Sequence, residues 1–462
     1  MFATISALVP ADRDYPARTR RLDLYRRVLD GTFYDALPYA FHDERTAGGE
    51  YVPLRQRRPS VRYPLARIVV EDSQALVFGA GHFPVVECDD HARRAVLARI
   101  GDAARLHSVM LEAGLKGAVG SVAILLRVLR GRVFLAAMDS LYLTPRWEAE
   151  APDLLRDVTE RYKVTGAVLA AQGYEIADPG AEYWFMRVWD AQTETWFLPW
   201  AVNGGEGPLA DASRSVRHGL GFVPLVWIRN LPGGDDIDGG CTFRAAIDSS
   251  IEIDYQLSQA GRGLKYSSDP LLLIREPAGS DGEIVRGGGN ALVVSEKGDA
   301  KLLEIGGSAA DAVIAYVRTL REMALEGVHG NRASADRISA AQSGRALEMM
   351  NQGLLWLAGN LRVSYGDGLL AVVRMIVRAS RVFALTLDGV ALGPLDDVAL
   401  RLDWPSWYPA TPQDLQAQAA SLATLVGAGV LSQETAVRVV AAEYGISDVT
   451  QETERVGRGR MA

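Results

Sequence analysis

The chain has 462 residues, 48% of them hydrophobic and 23% charged, and its net charge is −8. This length and apolar content exclude a disordered chain and predict roughly two to four domains with substantial cores. The negative charge argues against a protein that grips nucleic acid by releasing counterions, but it does not exclude one that lets DNA slide past. Two cysteines, Cys88 and Cys241, provide no disulfide framework and indicate a reducing compartment. The longest apolar stretches are interrupted by charges, so no membrane span is expected.

Residues 1–240 predict a mixed body of helices and strands. Helical patterns cover 13–29, 63–78 and 92–113, and the many arginines of the first predict a solvated or salt-bridging face rather than a phosphate site. Strand patterns and turn residues then indicate an antiparallel meander. The predicted strands are 119–128, 132–138, 141–144, 165–174, 182–189 and 195–200, with a buried strand in 217–230. The acidic, glycine-rich segment 231–240 lacks the spacing of an EF-hand, and we interpret it as a flexible linker.

Two helical patterns follow, at about 243–266 and 308–326. The first places Ile247, Ile251 and Tyr255 on one face. The second has two apolar lines, one through Tyr316 and one through Ile314, and a helix that is apolar on more than one face must meet more than one partner. Periodicity alone fits internal core helices of a large domain equally well. Four short strand patterns between the arms, at 271–274, 282–285, 291–294 and 301–304, predict a β lobe too small to be stable by itself.

The C-terminal part begins with a helical pattern of nine or ten turns, from Ser343 to Arg378. Gly366 and Gly368 inside it predict a kink. Short strands at 383–387 and 399–402 and a proline-rich connector at 404–412 come next. Two helices are predicted at 413–426 and 433–444, the second capped by Ser432.

Catalytic motifs are absent from the sequence. It contains no nucleophile elbow, Walker A sequence, H-E-x-x-H or C-x-x-C. His82, Cys88 and His91 have residue types that bind zinc, but their spacing fits no standard site and a fourth ligand is missing. We therefore expect no enzyme activity, metal or cofactor.

The order of these parts carries a resemblance. A strand Gly221-Phe-Val-Pro-Leu-Val-Trp-Ile-Arg-Asn230 precedes a helix, a β lobe and a second helix. A loop then enters Ser343-Gly-Arg-Ala-Leu347 at the head of the long helix, and Gly429-Val-Leu-Ser-Gln-Glu-Thr-Ala436 lies in the terminal part. From about Arg20 to Val456 the chain resembles the portal protein of tailed bacteriophages of the siphovirus kind.

The resemblance implies an α+β fold with a portal-like architecture. Its parts would be an α/β wing at 1–240, stem helices at 241–268 and 308–327, a β-rich clip at 269–307, a tunnel loop at 328–342, a long kinked helix at 343–378, wing return strands at 379–408 and a short helical crown at 409–462.

The implied function is a ring of twelve copies at one capsid vertex, through which double-stranded DNA is packaged and ejected. The tunnel loop would present His329, Asn331, Arg332, Ser334, Asp336 and Arg337 to the DNA. The clip, with Arg275, Glu276, Asp281, Glu283, Arg286 and Asn290, would dock the large terminase and later the head-tail adaptor. Major capsid and scaffolding proteins are further implied partners. The location would be the virion, and the host cytoplasm during assembly.

Two other interpretations compete with this one. One is a ring-forming scaffold or pore of non-viral origin. The other is an enzyme of unrecognised type, for example a hydrolase that uses His218 or His329 with a nearby acid. A large ring with an axial hole would support the portal or the scaffold, whereas a monomer or dimer would favour the enzyme.

Overall fold

The computed structural model describes residues 1–204, 207–268, 271–277, 294–303, 308–331, 348–349, 351–408, 412–441, 446 and 449–461. Helices and sheets are both abundant in these residues, which confirms the α+β class. The chain divides into two compact units. The body comprises Met1–Arg332 and Trp356–Pro405, and the terminal unit comprises Ala333–Leu355 and Ser406–Ala462. In the described part of the chain, no helix combines the length and the hydropathy needed to cross a bilayer.

The helices are numbered in chain order. They are α1 (Phe2–Ser6), α2 (Ala17–Leu29), α3 (Leu65–Phe78), α4 (His91–Ala103), α5 (Leu106–Gly117), α6 (Gly166–Ala171), α7 (Ile247–Ser268), α8 (Ser308–Gly327), α9 (Gln352–Ala379), α10 (Pro412–Gly427), α11 (Gln433–Ala441) and α12 (Val449–Met461). Short 3₁₀ turns occur at Phe33–Ala36, Leu54–Gln56, Ser140–Tyr142 and Arg244–Ala246.

The body contains two main sheets, and the strands are also numbered in chain order. They are β1 (Val85–Glu87), β2 (Ser121–Leu129), β3 (Arg132–Asp139), β4 (Leu143–Trp147), β5 (Leu155–Thr165), β6 (Glu182–Asp190), β7 (Thr193–Leu198), β8 (Trp200–Ala201), β9 (Leu209–Arg217), β10 (Leu225–Arg229), β11 (Leu271–Pro277), β12 (Val294–Leu303), β13 (Thr386–Leu387), β14 (Val390–Ala391) and β15 (Arg401–Asp403). One sheet has the order β10-β2-β3, and the larger one has the order β4-β5-β6-β7-β9 with β8 beside β6. The named strands pair antiparallel, as the meander predicted.

Several apolar clusters hold these elements together, and two of them matter most for the hairpin and the sheets. One joins α1, α2 and the start of α7, and includes Phe2, Leu22 and Ile251. The other lies between the two sheets, where Trp189 of β6 packs with Val158 and Leu225. The start of α7 therefore belongs to the core of the body.

Two predicted elements of the body are wrong. The single helix at 92–113 is broken into α4 and α5 at Arg105, whose backbone is left-handed with φ 54°. Segment 165–174 is the short helix α6 rather than a strand. The strand lies just before it as β5, because its alternating polar and apolar residues pair on both sides with β4 and β6. Strand β9 was also not predicted.

The acidic segment 231–240 is fixed to the body, so the prediction of a flexible linker is wrong. Asp238 is only 2% exposed, and the Arg18 guanidinium donates to both of its carboxylate oxygens at 2.7 Å. Asp235 accepts the N–H groups of Ile237 and Asp238 at 2.9 and 2.7 Å and pairs with Arg21. Arg18, Arg21, Arg26 and Arg27 of α2 therefore make salt bridges within the chain, which explains their density without a phosphate ligand.

Helix α9 is the central helix of the body. Its predicted apolar stripe is confirmed, since Leu361, Tyr365 and Ile376 are all buried. A Cβ added to Gly368 would lie 2.4 Å from Ile228 Cδ1, so this glycine allows α9 to approach β10 closely. Helix α9 is continuous from Gln352 to Ala379, and the kink at Gly366 and Gly368 stays a prediction.

The terminal unit contains α10, α11 and α12. The two predicted helices are confirmed, and Ser432 caps α11 by accepting the N–H of Thr435 at 3.1 Å. Helix α12 is a third helix that was not predicted.

Candidate channel-lining and docking segments

Helices α7 and α8 form an antiparallel hairpin. The two helices pack against each other, and the end of α8 lies beside the start of α7, since a Cβ on Gly327 would be 3.9 Å from that of Ala245. The predicted pair of arms, at about 243–266 and 308–326, is therefore confirmed.

The base of the hairpin is bound to the body by buried polar groups. The Asp254 carboxylate accepts the Tyr34 hydroxyl at 2.7 Å and the Tyr63 N–H at 2.6 Å. Ser258 Oγ accepts the N–H of Val61 at 3.0 Å, and the Tyr255 hydroxyl donates to the carbonyl of residue 57 at 2.9 Å. These bonds fix the first half of α7 to the segment that leads into α3.

Burial has an electrostatic consequence at Asp254. Removal from water raises the pKa of this carboxyl to about 6, although its hydrogen bonds to Tyr63 and Tyr34 oppose the shift. The same burial and the nearby carboxylate raise the pKa of the Tyr34 hydroxyl, which therefore stays a proton donor. The base of the hairpin thus contains a group that titrates near neutral pH.

In the described part of the chain, the distal half of the hairpin has exposed apolar side chains. They are Leu264, Ile314 and Tyr316, at 51%, 43% and 47% exposure, and Met323 near the base is exposed at 62%. These residues lie on more than one face of the hairpin, as the two apolar lines of the second arm predicted. Large apolar side chains that stay exposed on a narrow hairpin are typical of an interaction site.

The segment between the two arms contains an antiparallel ribbon. Strands β11 and β12 pair from Leu271 with Leu303 to Arg275 with Asp299, and the register shifts before Pro277. The first and last predicted strands of the β lobe are thus confirmed and are longer than expected. Arg275 and Glu276 lie on β11, whereas Asp281, Glu283, Arg286 and Asn290 lie outside the described residues.

The predicted tunnel loop begins with an ordered helix end. Gly330 donates its N–H to the Leu325 carbonyl at 2.7 Å, and His329 donates its own to the Glu326 carbonyl at 3.2 Å. With His329 in the left-handed region at φ 54°, this is a Schellman motif, in which the left-handed residue is usually glycine.

The side chains around this helix end fix it to the body. The His329 ring stands edge-on to the Trp356 ring with centroids 4.4 Å apart. Asn331 hydrogen-bonds to Asp72 of α3, where burial raises the pKa of the carboxyl. Trp356 and Asp72 were missed by sequence reasoning. The signal for Trp356 was a large aromatic side chain off the apolar stripe of α9.

The other predicted residues of this loop are Arg332, Ser334, Asp336 and Arg337. All four lie outside the described residues. Their role in contacting DNA stays a prediction.

The two histidines of the enzyme interpretation, His218 and His329, contact a backbone N–H and an aromatic ring, respectively. His218 Nδ1 accepts the N–H of Leu220 at 3.2 Å, and burial lowers its pKa. The nearby Asp190 carboxylate caps a turn by accepting the N–H groups of Gln192 and Thr193. In the part of the chain that the structure describes, no three His, Cys, Asp or Glu side chains gather as a metal-ligand set.

Comparison with known proteins gives distant structural neighbours. No protein-family model matches the chain, and no curated protein matches it. A chain in the neck of an empty GTA particle computed with C6 symmetry is 12% identical, with a TM-score of 0.41 over 82% of this chain and 88% of that one. A chain in the neck of a native GTA particle computed with C12 symmetry is 14% identical, with a TM-score of 0.39 over 81% and 90%. Both likenesses are too distant to carry an argument about function.

Proposed function

We propose that the chain is the subunit of a portal-like ring of twelve copies around a channel for double-stranded DNA. The observation that carries the proposal is the distal half of the α7–α8 hairpin, whose apolar faces are exposed in a single chain. Such faces are covered when copies of the same hairpin stand side by side in a closed ring. The ordered base fixes the direction of each hairpin relative to the body, as a regular ring requires.

The segment 328–342 would line the channel. Its candidate DNA contacts are His329, Asn331, Arg332, Ser334, Asp336 and Arg337. Two arginines against one aspartate give a weak, sequence-independent attraction to phosphates at cellular salt, which lets DNA move. The Schellman motif and the His329–Trp356 contact would fix the point from which this segment leaves the body.

The region 269–307, with the ribbon β11–β12, would be the docking site for a large terminase and then for a head-tail adaptor. Because the chain would form only the channel, ATP hydrolysis would belong to the terminase, and the chain itself would not be an enzyme. Capsid and scaffolding proteins would contact the assembled ring. The ring would assemble in the host cytoplasm and be part of the virion.

Electron microscopy of negatively stained protein tests the ring, and a paired substitution tests the channel. We expect a ring with an axial hole. Arg332→Glu with Arg337→Glu should leave the ring intact but impair packaging or retention of DNA, because the segment then repels phosphates. The matched control is Arg130→Glu with Arg132→Glu, two exposed arginines at the β2–β3 turn.

The outcomes separate the competing functions. A monomer or dimer at native concentration would contradict the ring and favour an enzyme. A ring whose channel variant packages DNA normally would contradict the DNA channel and leave a scaffold or pore.

A further inference from the structure

A groove of about 480 Å³ lies in the body between α9 and the two sheets. Its floor is β10, one wall is the exposed side of α9, and the other wall is the turn between β4 and β5. The residues that line it include Trp147, Val226, Trp227, Arg229, Arg374 and Arg378. We call this site the β10 groove.

The β10 groove follows the free edge of a strand. Successive residues of a strand point to opposite faces of the sheet, so a groove that touches both Val226 and Trp227 must run along the edge. Strand β10 is the last strand of its sheet, with β2 on one side only. In the described part of the chain, no strand pairs with its other side.

The hydrogen-bond register shows which backbone groups that edge offers. Leu126 donates to the Pro224 carbonyl at 2.8 Å, and Asn230 donates to the Gly120 carbonyl at 2.9 Å. Alternate residues of an antiparallel strand bond to the same neighbour, so 226 and 228 also face β2. Leu225, Trp227 and Arg229 therefore direct their N–H and C=O groups toward the groove.

The charges at the groove are mainly positive. Arg374 and Arg378 lie one turn apart on the exposed side of α9, and within the described residues neither makes a salt bridge. The Arg378 guanidinium stacks 4.2 Å from the Phe222 ring centroid. Among the described residues, Asp153 is the one acidic residue that lines the groove. Two like charges at this spacing disfavour a helix slightly, so a bound acidic group would relieve their repulsion.

The aromatic side chains add an apolar surface beside the edge. The Trp147 and Trp227 rings meet at a right angle, with centroids 6.4 Å apart, and the Arg229 guanidinium lies 5.5 Å from the Trp147 centroid. Trp227 is held by its indole N–H, which donates to the Ile237 carbonyl at 2.9 Å. The Trp227 side chain is therefore held in place beside the strand edge.

We propose that the β10 groove binds an extended acidic peptide segment of a partner protein as an added strand. The peptide backbone would pair with Leu225, Trp227 and Arg229. Apolar side chains of the peptide would contact Trp147 and Trp227, and its carboxylates would reach Arg374 and Arg378. Such peptide binding would require neither the ring nor DNA.

The test uses the full chain and a short, blocked, fluorescent peptide of alternating valine and glutamate. We expect saturable binding by fluorescence anisotropy that weakens as salt is added. Replacing each glutamate by lysine, or methylating the peptide nitrogens that face the strand, should weaken binding about tenfold or more, because each change removes one of the two recognition elements.

Substitutions in the protein locate the site. Arg374→Glu with Arg378→Glu should weaken binding about tenfold or more, and the milder Arg374→Gln with Arg378→Gln serves if the first pair unfolds. Arg130→Glu with Arg132→Glu should leave binding unchanged. Equal binding of the lysine or methylated peptide, no effect of either Arg374 and Arg378 pair, or no saturable binding would overturn the proposal. A change of oligomeric mass in the Arg374 and Arg378 variants would also overturn it, since the occupant would then be a second copy.

Discussion

The two halves of the α7–α8 hairpin have the same helical periodicity but different environments. At the base, Ile251 and Tyr255 are buried in the body, and Asp254 is hydrogen-bonded from two sides. In the distal half, Ile314 and Tyr316 are exposed in the part of the chain that the structure describes. An apolar stripe on a helix thus indicates that a partner is needed, but it does not indicate whether that partner belongs to the same chain.

The largest expected effect follows from substitutions in the distal half of the α7–α8 hairpin. Ile314→Glu with Tyr316→Glu should abolish the ring, because assembly would bury charges without partners, which costs several kcal/mol per ion. Native mass spectrometry measures the assembly. Val168→Glu, at a similarly exposed apolar residue of α6, is the matched control and should assemble normally. An intact ring in the double variant would show that the distal faces are not the contact between copies.

The next effect concerns the base and depends on pH. The pKa of Asp254 is about 6 in the folded chain and near 3.9 when unfolded, so the folded state holds the proton more tightly. Folding stability is then greatest below about pH 4 for this group and falls by about 2 to 3 kcal/mol as pH rises to 6 and beyond. Urea unfolding at several pH values measures this contribution.

Asp254→Asn isolates that contribution from other titrating groups. The variant should lose the part of the pH dependence between about pH 4 and 6 that the native chain shows. An identical pH profile in the two proteins would mean that Asp254 is ionised and well solvated in the folded state.

A smaller effect is expected at the end of α8. His329→Ala removes the ring contact with Trp356 and keeps a side chain in the left-handed region, whereas His329→Gly removes the contact and the strain. The glycine variant should therefore be more stable than the alanine variant by about 1 to 2 kcal/mol. Thermal unfolding of the two proteins provides the comparison. Equal stabilities would refute the left-handed backbone at this position.

The smallest effect is expected in distal α7. A Cβ on Gly261 meets nothing within 4 Å in one chain, so Gly261→Ala should stabilise the helix by up to about 1 kcal/mol. Hydrogen exchange of α7 amides in the monomeric Ile314 and Tyr316 variant measures it. Faster exchange in the alanine variant would contradict an exposed position.

Much of the helical framework was predictable because helical periodicity is a local property. The stripe of α9 through Leu361 and Tyr365 and the cap at Ser432 were read correctly from neighbouring residues. Sequence also predicted that the candidate channel segment begins at 328, directly after the observed end of α8. It did not identify Trp356 or Asp72 as its contacts, because both lie far away along the chain.

By itself, the sequence determined that the chain is α+β, that two amphipathic arms enclose a short β segment, and that one arm has more apolar surface than a single partner covers. Those properties follow from residue type and spacing alone. Only the tertiary structure decided that segment 231–240 is fixed to the body. Asp238 is paired with Arg18, which lies 220 residues away along the chain. The tertiary structure also decided that the edge of β10 is free and lies beside Arg374 and Arg378, because strand order and the meeting of distant side chains depend on pairings that no local pattern specifies.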